Sequence, residues 1–398
     1  MKSIYLDHAA TTPMDPRVRE AMTPYFSEVA GNPSSFHTPG LRAKEAVTEA
    51  RQSIAKQLNA REDEIIFTSG GTESDNLALL GIIRAHKEKG KHVITSSIEH
   101  HAVLEPLLYL QKKGEIELTI ISVDRDGKVD VDAVAKAIRP DTILVTIMLA
   151  NNEIGTLEPI ADIGREILKW RKAQITPLPY FHTDACQAAG VLDLDVEKLH
   201  VDLLTLNGSK IYGPKGMGLL YVRRAVKIEP LIRGGGQEKN YRSGTENVPG
   251  IIGLAKALEL AQAEKEKENV RLIGLRDRLI EGLLKIPKSR LNGHPTDRLP
   301  NNANISFLDI EGEAAVLYLD AEGVYISTGS ACASLSLDPS HVILATGLSY
   351  EAAHGSLRFT LGHGTTEADI DHVIAVMPGI VERLRHMSPV NLDMKYFS

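Results

Sequence analysis

Glu64-Ile-Ile-Phe-Thr-Ser-Gly-Gly-Thr-Glu-Ser-Asp-Asn76 reads as a strand, a glycine turn with a hydroxyl residue, and the opening of an amphipathic helix. The same step recurs outward from this stretch. Short β-rich runs at 64–69, 93–96, 117–123, 142–149, 180–183, 202–206 and 218–222 alternate with helical patterns at 73–89, 131–138 and 160–172. That rhythm predicts an α/β domain around a mainly parallel sheet, with helices on both faces.

A glycine-rich segment, Arg233-Gly-Gly-Gly-Gln-Glu-Lys-Asn-Tyr-Arg-Ser-Gly-Thr-Glu-Asn-Val-Pro249, interrupts the rhythm and is long for a connection inside a compact domain. Residues 251–286 then carry one extended helical pattern, apolar at Ile251, Leu254 and Leu258 and again at Leu272, Leu275, Leu279 and Leu283. Strand-like runs at 304–308, 325–327 and 356–361, with helices between them, fit a smaller α+β domain. The expected division is a large domain at 16–255 and a small one made of 1–15 and 256–398.

The chain has 398 residues, enough for two or three domains with cores of their own. Apolar residues at 43% and charged residues at 24% exclude wholesale disorder. The formal charge is −7 and basic side chains are scattered, so no nucleic-acid partner is expected. The longest apolar stretches, such as 143–150, are too short to span a membrane, and no secretory pattern opens the chain; a cytoplasmic location is the expectation. Two cysteines, Cys186 and Cys332, make no disulfide framework.

Exposed N–H groups at the helix start after Gly70 and Gly71 make a place for a phosphate. Neither a P-loop lysine nor a Gly-x-Gly-x-x-Gly dinucleotide pattern is present, and a plain helix capped by Thr72 or Ser69 is the alternative. In His182-Thr-Asp-Ala-Cys-Gln187, Asp184 follows an apolar strand, at the end where open α/β sheets bind ligands; a turn aspartate is the competing reading. Lys210 follows another buried-looking strand, and burial turns a lysine into an amine nucleophile for carbonyl compounds. A phosphate cradle, a carboxylate for a ring nitrogen and a Schiff-base lysine together are what pyridoxal phosphate requires.

At this point the chain resembles the cysteine desulfurases of the NifS/IscS type, over nearly its whole length. The blocks that carry the resemblance are Ile4-Tyr-Leu-Asp-His-Ala-Ala-Thr-Thr-Pro13, Gly31-Asn-Pro-Ser-Ser35, Thr68-Ser-Gly-Gly-Thr-Glu-Ser74, Glu99-His100, Ala150-Asn-Asn-Glu-Ile-Gly155, His182-Thr-Asp184, Lys210-Ile-Tyr-Gly-Pro-Lys-Gly216, Arg242-Ser-Gly-Thr245, Ser327-Thr-Gly-Ser-Ala-Cys332 and Leu357-Arg-Phe-Thr-Leu361. The resemblance implies a fold-type I pyridoxal phosphate-dependent transferase, a homodimer, and conversion of L-cysteine to L-alanine with the sulfur left as an enzyme persulfide. An acceptor such as an iron–sulfur scaffold protein would take the sulfur.

Position by position, the resemblance makes Lys210 the cofactor lysine, Asp184 the partner of the ring nitrogen, and His100 the imidazole stacked on the ring, with a share in proton transfer. Asn152 and Gln187 match groups around the ring hydroxyl, and Asn152 also borders the substrate. Gly71, Thr72, Asn207 and Ser209 match phosphate positions, and Thr245 the residue that reaches the partner subunit's phosphate. Arg358 matches the arginine that holds the substrate carboxylate, a task for a bidentate fork.

Cys332, among Gly329, Ser330, Ala331, Ala333 and Ser334, has nothing around it to bury and suits an exposed loop; the resemblance makes it the sulfur-accepting nucleophile. No intrinsic metal site is expected, although Cys332 would be placed to share a scaffold-bound iron–sulfur cluster. Cys186 reads as a buried packing residue, and His101 as solvated or structural. One departure stands out: Ser209 precedes Lys210 where many relatives have histidine. The stretch 169–179 is longer, and the tail after Pro389 shorter, than in typical bacterial relatives. Selenocysteine lyase, which has the same fold, and a non-catalytic binding platform are the rival functions.

Overall fold

The alternation between residues 64 and 225 resolves into a single sheet, and its strand order explains where the site lies. The computed structural model describes residues 3–329 and 338–397. Its strands are β1 (Ile4–Tyr5), β2 (Ile65–Thr68), β3 (His92–Ser96), β4 (Glu117–Ile121), β5 (Thr142–Thr146), β6 (Tyr180–Asp184), β7 (Leu203–Asn207), β8 (Gly218–Val222), β9 (Ser289–Asn292), β10 (Asn302–Phe307), β11 (Val324–Tyr325) and β12 (Ser356–Thr360). The large sheet runs β2-β8-β7-β6-β5-β3-β4. Only β8 is antiparallel to its neighbours, so the other six strands end on the same edge.

Because successive side chains on a strand face opposite ways, paired apolar residues feed two cores. Ile65, Phe67, Leu204, Leu206, Leu219 and Tyr221 pack with the Thr38–Gln57 and Ile160–Gln174 helices on one face. Ile66, Val93, Leu144, Leu203 and Leu220 pack with the Gly71–His86 and His101–Lys112 helices on the other. This is the two-sided covering that the sequence pattern implies. Edge strand β4 is the exposed exception.

The Val248–Leu283 helix, 36 residues and therefore about 54 Å long, gives Ile251, Leu254 and Leu258 to the first core. Its later residues Leu272, Leu275, Leu279 and Leu283 enter a separate core. There they meet the antiparallel sheet β12-β10-β9, the parallel pair β1-β11 and the Glu367–Met387 helix. The N-terminal strand thus belongs to the second core although it is first in sequence.

Some boundaries differ from the sequence reading. The helix expected from residue 73 begins at Gly71, and its cap is Gly70, at φ 155°, with no side-chain hydrogen bond; neither Thr72 nor Ser69 caps it. Only glycine adopts that conformation readily, which is why the hydroxyl residues on either side lose the position. The strand expected over 142–149 ends at Thr146, as the chain turns toward the site through residues 147–152. The run at 325–327 is reduced to β11, where Val324 and Tyr325 pair with β1, while Ser327 makes only an isolated antiparallel bridge to Arg358. Among the described residues no helix is long and apolar enough to cross a membrane.

Candidate active site

Five strand ends converge on one cavity of about 200 Å³. Gly71, Thr72 and Asp75 follow β2, His100 follows β3, Met148, Ala150 and Asn152 follow β5, Asp184 to Gln187 end and follow β6, and Asn207 and Lys210 end and follow β7. Ala9 and Ala10 from the N-terminal segment and Arg358 from β12 close it. The carboxyl edge of a parallel sheet is where the chain must leave in loops, so diverse side chains can be gathered there on a rigid support.

The Gly71–His86 helix points its uncapped start at this cavity, leaving backbone donors without a side-chain acceptor. A Cβ on Gly71 would stand 2.9 Å from Cys186 Sγ and 3.1 Å from Asn207 Nδ2, so no larger residue fits without displacement. Asn207 Oδ1 accepts from Ser209 Oγ at 3.3 Å, which leaves the amide nitrogen as the free end of that side chain toward Gly71. Glycine turn, uncapped N–H groups and an amide donor fit a phosphate.

Asp184 ends β6 buried, and its Oδ1 accepts from Cys186 N–H at 2.8 Å. It is therefore a turn aspartate and a cavity carboxylate at once. His100 is the N-cap of the His101–Lys112 helix: Nδ1 accepts from Ala102 N–H at 3.0 Å. In the neutral ring the hydrogen must then sit on Nε2. Burial lowers the His100 pKa, with the Asp184 charge acting the other way, so the ring is neutral at pH 7. Lys210, in the short 3₁₀ turn after β7, donates from Nζ to Ala10 O at 2.6 Å. Gln187 Nε2 donates to Ala9 O at 3.0 Å.

Arg358 is almost wholly buried; Nη1 donates to Asn152 O at 3.1 Å, Nη2 to Asp7 Oδ1 at 3.0 Å, and Nε has no partner among the described residues. Cys186 is buried, and burial pushes its thiol well above the ordinary range, so it is no thiolate. His101 packs its ring 4.8 Å from that of His341, away from the cavity lining.

Gly71, Thr72, His100, Asn152, Asp184, Gln187, Asn207, Lys210 and Arg358 are thus brought together. Ser209 and Thr245 are not among the lining residues. Ser209 spends its hydroxyl on Asn207 and its carbonyl on Thr12 N–H, and Thr245 is exposed beyond the Arg242–Glu73 ion pair. Cys332 lies outside the described residues. Asp75, Asp7 and Ala10 were missed by the sequence reading. Asp75 was within reach of it, since it lies four residues after Gly71 and therefore on the same helix face. Among the described residues no three His, Cys, Asp or Glu side chains are grouped as metal ligands.

The aminotransferase class-V family model matches residues 4–373, and the chain belongs to that family. Within it, the chain is 57% identical over 389 residues to the cysteine desulfurase IscS of Methanosarcina thermophila, covering 98% of this chain and 94% of that one. The cysteine desulfurase IscS of Dictyoglomus turgidum is 52% identical, covering 99% and 98%. A solved NifS-like protein superposes with a TM-score of 0.89 at 37% identity, covering 96% of this chain and all of its own. SspA, solved in complex with cysteine, gives 0.78 at 37% identity over 90% of this chain and 99% of its own.

Proposed function

We propose that this chain is a pyridoxal phosphate-dependent cysteine desulfurase that converts L-cysteine to L-alanine and passes the sulfur, as a persulfide on Cys332, to an acceptor such as an iron–sulfur scaffold protein. The observation that carries the reading is the cavity itself, where an uncapped helix start, the Asp184 carboxylate, the Lys210 amine and an arginine with an unspent donor face one another. Pyridoxal phosphate held there supplies an electron sink next to the carbon that bears the substrate amine.

The N–H groups of Gly71 and Thr72, with Asn207 Nδ2, hold the phosphate dianion. Asp184 would hold the ring nitrogen in its protonated form, because a nearby carboxylate favours the cation. Asn152 and Gln187 supply amide groups for the ring hydroxyl. Lys210 Nζ would be the amine that holds the cofactor's aldehyde end, and the same amine would move the substrate's α-proton. Arg358 binds the substrate carboxylate through Nε–H, while Asp7 and the Asn152 carbonyl fix its plane. His100, with its hydrogen on Nε2, would donate a hydrogen bond to the substrate sulfur as the bond from that sulfur to Cβ breaks, and its share in proton transfer would begin with the ring taking up a proton. The balance is cysteine plus the Cys332 thiol giving alanine plus a persulfide, with no external oxidant.

The same reading makes the protein a cytoplasmic homodimer in which half-buried Ser209 and exposed Thr245 serve phosphate binding, Thr245 in the neighbouring subunit. It also divides the chain into a large unit at 16–255 and a small one at 1–15 and 256–398, and leaves no resident metal.

A cysteine pulse followed by mass spectrometry tests the reading. The expected result is one alanine released and one extra sulfur on Cys332, with Cys332→Ser binding cysteine but transferring nothing and Lys210→Ala inert. A persulfide on Cys186 with active Cys332→Ser, or turnover of selenocysteine but not cysteine, would overturn it.

A further inference from the structure

Behind Asp184 the cavity holds a second carboxyl, Asp75, only 1% exposed, on the first turns of the Gly71–His86 helix. Its Oδ1 has no hydrogen-bond partner among the described residues. His182 Nε2 stands 3.7 Å from it. That ring has both nitrogens engaged by hydroxyls, Nδ1 with Thr146 Oγ1 at 2.8 Å and Nε2 with Thr205 Oγ1 at 3.0 Å. Burial pushes His182 down to about 4, so it offers Asp75 no positive charge at neutral pH.

Two carboxylates in one dry pocket cannot both be ionised cheaply, and one of them takes the proton. Asp184 keeps the charge, since it accepts a backbone N–H and stands at the strand end facing the cavity. We propose, resting on the reading of the site given above, that Asp75 is a positioning residue for the ring-nitrogen site: a protonated carboxyl that, lining the same cavity as Asp184, leaves that site a single negative charge to balance the single positive charge of the ring nitrogen.

The groups around Asp75 agree. Asp184 and His182 face it from β6, Thr205 from β7, Glu99 from the segment after β3 and Cys186 from the turn after β6. Burial and then the Asp184 charge raise its pKa, Glu99 adds to this, and only the Thr205 hydroxyl works in the opposite sense. Lys210 reaches the same cavity but donates to Ala10 O. An ionised Asp75 would add an uncompensated charge on the same side of the cavity as the uncapped helix start, where it would repel a phosphate.

Infrared difference spectra of full-length wild type against Asp75→Asn at pH 7 test the protonation, with and without pyridoxal phosphate. A carboxylic-acid carbonyl band that shifts in D₂O and is missing from Asp75→Asn is expected in both conditions; bands from other protonated acids such as Glu99 cancel. The positioning role is read from pyridoxal phosphate titrations against pH. Near pH 7 the dissociation constants of wild type and Asp75→Asn should agree within about threefold. As pH rises the wild-type value should climb about tenfold more than that of Asp75→Asn, because only the wild type carries an Asp75 that can ionise. Asp75→Ser is the second neutral variant should the asparagine form not fold. Absence of the band, or parallel affinity curves, would overturn the proposal. Failure of the wild type to bind pyridoxal phosphate would instead overturn the functional reading, while the cofactor-free spectra still decide the state of Asp75.

Discussion

Arg298 and Arg358 are buried almost equally, at 4% and 1% exposed, and they spend their donors in opposite ways. Arg298 gives all three nitrogens to backbone carbonyls, those of Asn302, Asn292, His294 and Ile154. Even pushed down to about 9 by burial, it keeps its charge at neutral pH. Arg358 keeps Nε unspent at the edge of the cavity. A buried donor without a partner costs free energy, which a folded protein tolerates where a ligand will supply the acceptor. Arg298 therefore ties the turn after β5 to the small sheet, whereas Arg358 keeps the donor that the proposed function assigns to the substrate carboxylate. The helix starts differ in the same way. The Glu367–Met387 helix closes a reciprocal capping box between Thr366 and Asp369, whereas the Gly71–His86 helix leaves its first N–H groups uncapped.

The strongest test of this contrast is Arg358→Ala. Losing one side of a buried charge-assisted contact costs about 2–5 kcal/mol, so kcat/KM for cysteine should fall by roughly 10³-fold. Pyridoxal phosphate affinity should change by no more than about threefold. Arg358→Lys should recover only part of the loss, since an ammonium lacks the planar fork. An equal fall in cofactor affinity would mean that Arg358 is a structural residue like Arg298.

Arg298→Met should do the reverse. It removes the cost of burying a charge but orphans several carbonyls, and a net loss of about 2–3 kcal/mol in stability is expected by urea unfolding. The folded fraction should turn over within about threefold of wild type. Unchanged stability with lost activity would erase the contrast.

The smallest effect concerns two buried glutamates. Glu238 spends both oxygens, on Arg51 and on Phe67 N–H, whereas Glu99 accepts from Ser96 Oγ and Met148 N–H through Oε1 alone and leaves Oε2 without a partner. Burial pushes Glu99 up to about 8. A carboxyl raised in the folded state contributes stability that is full below its unfolded pKa, about 4.3, and is lost as pH rises through about 8. Glu99→Gln cannot ionise, so its Tm should fall less than that of wild type between pH 5 and 9, by roughly 2–4 °C. Parallel Tm–pH curves would show that Glu99 is already charged.

Much of this was legible along the chain. Alternating periodicity gave the seven-stranded sheet and the bridging helix, and the segments around Gly71, Asp184 and Lys210 read as parts of one cofactor site, to which the family resemblance added His100; a parallel sheet delivers such strand ends to one edge. Other features depend on contacts that no local pattern records. That Gly70 rather than a hydroxyl residue caps the site helix follows from a backbone angle. That Arg358 is oriented by Asp7, 351 residues away, follows from the N-terminal segment returning to the second core. That Asp75 shares its pocket with Asp184 follows from a helix laid across the end of β6. Sequence determined which groups are present and which strand end carries each. Only the tertiary structure decided which of their hydrogen bonds and charges are already spent, because that depends on distances between segments far apart in the chain and on the exclusion of water between them.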